Sequence, residues 1–238
     1  TVWFYGWVRQ SVEAGFDPSF TDWFFYPDGK EIFEHTGNNL IDAYASVPFQ
    51  WILGDHFIGP FISFLVLINV VGLRWFLREM GCSYYVRWLM SVLWLFNPYV
   101  WSEIAMGRPT QVLLFPTFMA LVFIYRMFHE DRKAWIGLGI SVALQGWSYW
   151  FYGYFVVLFL TLVCLVQWSR DAVKWSVFIS DAVRAGLICI VLVSPAIATI
   201  GHSAINGQVP GVGLERSFRF VTIVEQLVPW MRGIQLLE

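Results

Sequence analysis

Charge is scarce in this chain. Only 13% of its residues are Asp, Glu, Lys or Arg, about half the share of an ordinary soluble domain, while 58% are hydrophobic. Lys and Arg are few and dispersed and the net charge is −2, so the basic surface that nucleic-acid phosphates require is missing. Cysteine is nearly absent. Cys82, Cys164 and Cys189 stand far apart and outside the polar segments, which argues against a disulfide framework or a zinc site and for packing roles. There is no DxD pair, no Gly-rich phosphate loop and no local Ser/His/Asp pattern, so nucleotidyl and serine-hydrolase chemistry find no support. The chain opens on Thr1 with neither an initiator Met nor a signal segment, and it is expected to be a piece of something longer.

What is present is apolar sequence at membrane length. A bilayer core of about 30 Å needs about 20 apolar residues in helical form, because lipid leaves backbone polar groups no partner outside the segment. Six stretches meet or approach that length: 57–76, 85–101, 111–128, 134–149, 153–168 and 183–200. Arg74, Arg78 and Arg87 flank the first joining segment, Arg126, Arg132 and Lys133 the next basic one, and Arg170, Lys174 and Arg184 the last. Lys and Arg mark the cytoplasmic side, so these three turns face inward. The stretch 134–168 is read as two spans broken near "WSYWFYG", since a single span would place Arg170 and Lys174 outside. The expected fold is therefore an all-α polytopic bundle of about six transmembrane helices. Residues 1–56 form its structured extracytoplasmic N-terminal loop, 57–200 the membrane region, and 201–238 an outer loop leading to a missing C-terminal part.

The outer segments carry the chemistry. "TDWFFYPDGKEIFEHTGNNL" holds turn clusters at "YPDG" and "TGNN", and "KEIFEH" between them is expected to form a short helix. On such a helix Glu31, Glu34 and His35 share a face, open to two readings: a divalent-cation site or a solvated surface. Asp17 and Asp22 flank "PSFT" and are either turn caps or catalytic carboxylates. In "WSEIAMGRPTQ", Glu103 and Arg108 stand where a span meets water. Arg108 is either a bidentate phosphate ligand or an interfacial Arg reaching the headgroups. The aromatics of "WSYWFYG" make either a stacking floor for a sugar ring or an interfacial belt. His202, Arg216 and Arg219 lie beyond the last span as further candidates, or as merely solvated residues.

The order of "FTDWFFYPDG", "NNLIDAYASVPFQWILGDHFIGPFISFLVLINVVGLRWFLREMG" and "LFNPYVWSEIAMGRPTQVLLFPTFMALVFIYR" resembles the N-terminal half of bacterial membrane proteins of the GT-C glycosyltransferase superfamily. The likeness covers most of the chain and includes "FNPY" at 96–99 and "GRPTQ" at 107–111, with Arg108 where many relatives carry His. The resemblance implies inverting transfer of a sugar from a polyprenyl-phosphate donor to an extracytoplasmic acceptor, at the bacterial inner membrane. One carboxylate takes the acceptor proton and a cation steadies the leaving phosphate. The candidates are Asp17 and Asp22 as catalytic acids, with the family's acid also expected just before Thr1, and Arg108, Gln111, His202 and Arg216 as substrate ligands. No cofactor is implied, a divalent metal is left open, and the partners are the lipid-linked sugar donor and membrane lipids. Two other classes compete. A transporter or flippase needs ionisable groups at mid-bilayer, which the six stretches almost wholly lack. A non-catalytic scaffold of the same fold needs no cleft.

Overall fold

The computed structural model of the protein describes residues 2–21, 30–31, 39–131, 133–168 and 175–205, without the side chains of 30–31 and 199–205. It divides into two units, Thr1–Ser194 and Pro195–Glu238, and the packing that follows belongs to the first. The described chain is all-α apart from one short ladder. The helices are α1 (Val2–Ala14), α2 (Leu40–Leu53), α3 (Ile58–Glu79), α4 (Tyr84–Leu95), α5 (Pro98–Ala105), α6 (Phe115–Phe128), α7 (Ala134–Ser148), α8 (Trp150–Trp168) and α9 (Trp175–Ile205). Strands β1 (Phe20–Thr21) and β2 (Lys30–Glu31) pair antiparallel. Lys30 and Glu31 are thus extended rather than the start of the expected "KEIFEH" helix, and Glu34 and His35 lie outside the described residues.

Four stretches are long and apolar enough to cross a membrane: Ile58–Glu79, Pro109–Phe128, Trp150–Trp168 and Trp175–Ala198. The expected span at 85–101 is two helices instead of one. Asn97 adopts the extended conformation that a residue before proline prefers, and its Oδ1 caps α5 by accepting the Tyr99 N–H at 2.9 Å. Pro98 cannot continue the ladder of α4, and the Trp101 indole donates instead to the Leu95 carbonyl at 2.6 Å. The stretch 134–168 divides into two helices where its charge pattern predicts a break, and of these Trp150–Trp168 is long and apolar enough to cross a membrane while Ala134–Ser148 is not among the four. Tyr149 is extended at φ −158°, and α8 turns back on α7 at Gly146 and Gly153. A Cβ on Gly153 would meet the Gly146 backbone at 3.0 Å, tighter than ordinary contact, so this close approach favours glycine.

Contacts along the helices fix their relative direction. Asn69 of α3 reaches Leu114 just before α6, and Glu79 at the far end of α3 pairs with Arg126 near the end of α6, so these two run parallel. Gln145 meets Thr117, whereas Gly137 lies against Phe123, so α7 runs antiparallel to α6. Gly139 sits against Ala185 and Ile188, and Trp147 donates to the Leu192 carbonyl, so α9 follows α7. A main core forms where α6, α7, α8 and α9 meet, around Ala120, Ile124, Leu138, Val156, Leu160 and Phe178. Arg126 closes one end with a bidentate grip on Glu79, at 2.6 Å and 3.1 Å. At the other end α1 packs on α2, and α2 rests on α3 and α7.

Candidate functional site

The end of the bundle bearing α1 and α2 also carries the least regular backbone of its interior, the segment from Gly107 to Leu114. Gly107 turns the chain out of α5 at φ +70°, a conformation that glycine takes without strain. Pro109–Val112 then form a single 3₁₀ turn before α6 begins at Phe115. Non-helical backbone survives among apolar helices only where neighbouring side chains satisfy it. Here Asn69 Nδ2 donates to the Val112 carbonyl at 2.6 Å, Asn69 Oδ1 accepts the Leu114 N–H at 2.9 Å, and Gln145 Nε2 donates to the Leu113 carbonyl at 3.3 Å. Thr117 in turn donates to Gln145 Oε1 at 2.8 Å. Two fully buried amides therefore strap the turn to α3 and α7.

On one side of the turn lies a polar cluster. Arg108 sends its backbone N–H to the Glu103 carbonyl at 2.8 Å, and its Nη1 lies 3.8 Å from Glu103 Oε2. The Arg108 side chain is about half exposed, at 53%, whereas the Glu103 side chain is 9% exposed and its Oε2 makes no hydrogen bond among the described residues. Around this pair stand three tyrosines. The hydroxyls of Tyr99 and Tyr152 are hydrogen-bonded to each other, and Gln111 Nε2 donates to the Tyr149 hydroxyl at 3.3 Å. The Tyr149 and Tyr152 rings meet edge to face at 5.0 Å. Directly below, Tyr152 also lines a cavity of about 330 Å³ with Leu114, Thr117, Leu121, Phe155, Val156 and Phe159, an apolar slot between α6 and α8.

The same turn also meets a buried carboxyl group. Asp42 of α2 is fully buried, and its Oδ2 accepts the Tyr5 hydroxyl at 2.5 Å. Gln50, two turns further along α2, donates to the Tyr5 carbonyl at 3.1 Å and to Ser46 Oγ at 2.9 Å. The Thr110 hydroxyl sits close enough to influence both Asp42 and Tyr5, yet neither Thr110 Oγ1 nor Asp42 Oδ1 completes a hydrogen bond of good geometry. Burial raises the Asp42 carboxyl to about 7, opposed by the Tyr5 and Thr110 hydroxyls. The Tyr5 phenol is raised as well, by burial first and by the Asp42 charge second.

Of the residues singled out in the sequence, Arg108 and Gln111 come together in the polar cluster. Asp17 lies elsewhere: its Oδ1 accepts the Ser19 N–H at 2.9 Å, the turn-cap arrangement, and its charge helps raise the Tyr44 phenol, after burial. Asp22, Arg216 and Arg219 lie outside the described residues, and His202 falls in helical backbone whose side chains are not described. Tyr149 and Tyr152 belong to the aromatic run "WSYWFYG" that the sequence offers as a stacking floor or an interfacial belt, whereas Asp42 and Tyr5 are not marked as site residues by any sequence motif. A signal for Asp42 was there: Asp42, Ser46 and Gln50 recur at i, i+4 and i+8, a polar stripe down an otherwise apolar helix. Among the described residues, no group of three His, Cys, Asp or Glu stands close enough to hold a metal ion. Comparison with known families, with curated proteins and with solved structures finds no match to this chain.

Proposed function

We propose that this chain belongs to a membrane glycosyltransferase of the GT-C type, which moves a sugar from a polyprenyl-phosphate donor to an extracytoplasmic acceptor. The observation that carries the reading is a juxtaposition: a half-exposed Arg108, a buried Glu103 and three tyrosines above an apolar slot that shares Tyr152 with them. A donor of this class has the matching anatomy, with a hydrocarbon chain, an anionic phosphate and a polyol. The chain would enter the slot beside Phe155 and Phe159, the phosphate would meet Arg108, and the sugar hydroxyls would face Gln111 and the tyrosines.

In this reading the acceptor oxygen attacks the anomeric carbon as the bond to the phosphate oxygen breaks, and that oxygen leaves with the electron pair. Arg108 steadies the charge that develops there. The acceptor proton goes to an ionised carboxylate, for which Asp17, Asp22 and an acid upstream of Thr1 are the proposals, with His202 and Arg216 as further ligands from the outer tail. The finer topology belongs to the same proposal. The chain crosses the bacterial inner membrane six times, α4 with α5 and the short α7 serving as the second and fourth crossings, and residues 1–56 lie outside.

The test is transfer by the full-length protein in nanodiscs loaded with lipid-linked sugars. Arg108→Ala is expected to lower kcat/KM at least tenfold, roughly the loss of one charge-assisted contact to phosphate. Asp17→Asn and Asp22→Asn separate turn cap from base, since only loss of a base abolishes turnover while leaving donor binding intact. If Arg108→Ala changes neither binding nor turnover, the phosphate role fails. A wild type that transfers nothing from any donor leaves the transporter and scaffold alternatives in its place.

A further inference from the structure

The reaction proposed above makes no use of the buried carboxyl group of Asp42, although that group touches the turn on which the site is built. Asp42 reaches across from α2 to Tyr5 of α1 and lies against Thr110, which stands between Arg108 and Gln111 in the chain. The polar stripe on α2 is thus consumed in one place: Gln50 holds the Tyr5 backbone, Ser46 holds Gln50, and Asp42 holds the Tyr5 hydroxyl. Phe57 and Phe61 close the pocket from the α3 side, edge-on to the Tyr5 ring at 6.4 Å and 5.5 Å.

We propose that Asp42 is a positioning residue for the outer-face site. Its carboxyl, keyed between Tyr5 and Thr110, seats the Pro109–Val112 turn so that Arg108 faces Glu103 and Gln111 faces Tyr149. The statement about the turn stands on this geometry, and its consequence for catalysis rests on the donor-binding reading of the site.

A buried carboxyl with one oxygen unpartnered is tolerable when it carries a proton, because the proton lets it donate to the Thr110 hydroxyl while accepting from Tyr5. Ionisation sets the cost of burying a charge against the hydroxyls of Tyr5 and Thr110 and the N–H groups of Asp42 and Ala43, which favour the carboxylate; burial is the larger effect, so ionisation favours an opening of the turn that admits water. Among the described residues, no Lys, Arg or His forms an ion pair with Asp42. Tyr5 is the titratable neighbour from α1, where Arg9 lies 3.6 Å from Glu13, and Arg108 beside the turn lies 3.8 Å from Glu103. No Lys, Arg, His, Asp or Glu occurs in α7, and the α3 residues at the pocket are phenylalanines. The seat is therefore expected to be firm in mildly acidic water and weaker above neutrality.

Hydrogen exchange of the full-length protein in nanodiscs tests this directly. The reporters are the amides of Gln111, Leu113 and Leu114, which bond to Arg108, Thr110 and Asn69, with 118–124 of α6 as the internal control. Asp42→Ala is expected to speed exchange of 108–114 about tenfold with the control unchanged. Asp42→Asn, which keeps an acceptor for Tyr5 and adds a donor for Thr110, is expected to restore protection. In the wild type, exchange corrected for its intrinsic rate should rise about tenfold between roughly pH 5.5 and 8.5, and in Asp42→Asn it should stay flat. Thr110→Val approaches the contact from the other side and is expected to reproduce the alanine effect should Asp42→Ala fail to fold. Wild-type protection of the turn in Asp42→Ala, or in Thr110→Val where the former does not fold, overturns the proposal. So does a wild-type profile as flat as that of Asp42→Asn. If no donor is transferred at any pH, the functional reading falls while the exchange result still decides where the turn is seated.

Discussion

Single residues in this protein are constrained most where a polar group sits in oil, and Asp42 has the largest consequences. Its carboxyl lies near 3.8 in water and at about 7 in the folded chain, so the native state binds the proton more tightly than the unfolded state does. Stability is then greatest at low pH with respect to this group. It is lost progressively as pH rises from about 4 to about 7, and is flat beyond, by a total on the order of 4 kcal/mol. Asp42→Asn removes that loss. Thermal unfolding in nanodiscs should show the variant melting above the wild type at about pH 8 and level with it at about pH 4; a difference that persists unchanged across this range would place its origin elsewhere. Asn69 and Gln145 follow the same logic in neutral form. Each is fully buried inside a helix and survives because the carbonyls of 112 and 113 are turned toward it.

At the scale of elements, close approach between helices depends on small residues. A Cβ on Gly139 of α7 would lie 2.5 Å from the Ala185 carbonyl oxygen of α9, and backbone cannot rotate away as a side chain can. Gly139→Ala is therefore expected to push α9 off α7 and to cost about 1–3 kcal/mol, the usual range for overpacking. Gly186→Ala is the comparison, since nothing lies within 4 Å of the corresponding position and the same change there should be nearly silent. Equal melting temperatures for the two variants would show that α7 and α9 do not pack this closely. The break between α4 and α5 is likewise local chemistry. Asn97 followed by Pro98 ends one helix and caps the next, which is why a run of apolar residues long enough for one span becomes two helices.

For the molecule as a whole, the arrangement of basic residues predicts orientation. Arg74 and Arg78 lie on the last turns of α3, Arg126 at the end of α6, and Arg87 on the first turn of α4, all toward the end opposite the polar cluster. By the bias of Lys and Arg toward the cytoplasm, that end is predicted to face inward and the Arg108 cluster outward. In intact cells, a Cys introduced at Gly37 is expected to react with a membrane-impermeant maleimide and one at Ser169 to be protected. The reverse pattern would invert the topology and move the proposed site to the wrong face for an extracytoplasmic reaction.

The composition and length of its apolar runs determined by themselves that this is a helical membrane-type protein, because apolar runs of that length placed in lipid can satisfy their backbone groups only within a helix. The break after Ser148 was legible too, since the charge of Arg170 and Lys174 required it. Periodicity alone hinted at the buried stripe of Asp42, Ser46 and Gln50. The division of the 85–101 stretch was readable only from the Asn-Pro step within it, against the hydropathy that argued for continuity. Tertiary structure alone decided which polar residues meet. Tyr5 and Asp42 are 37 residues apart, Asn69 and Val112 43, and Tyr99 and Tyr152 53, and no local rule links them. Their meeting depends on how the ends of separate helices are brought to one level of the bundle. That level is set by packing among apolar faces, which a one-dimensional pattern of hydrophobic residues does not specify.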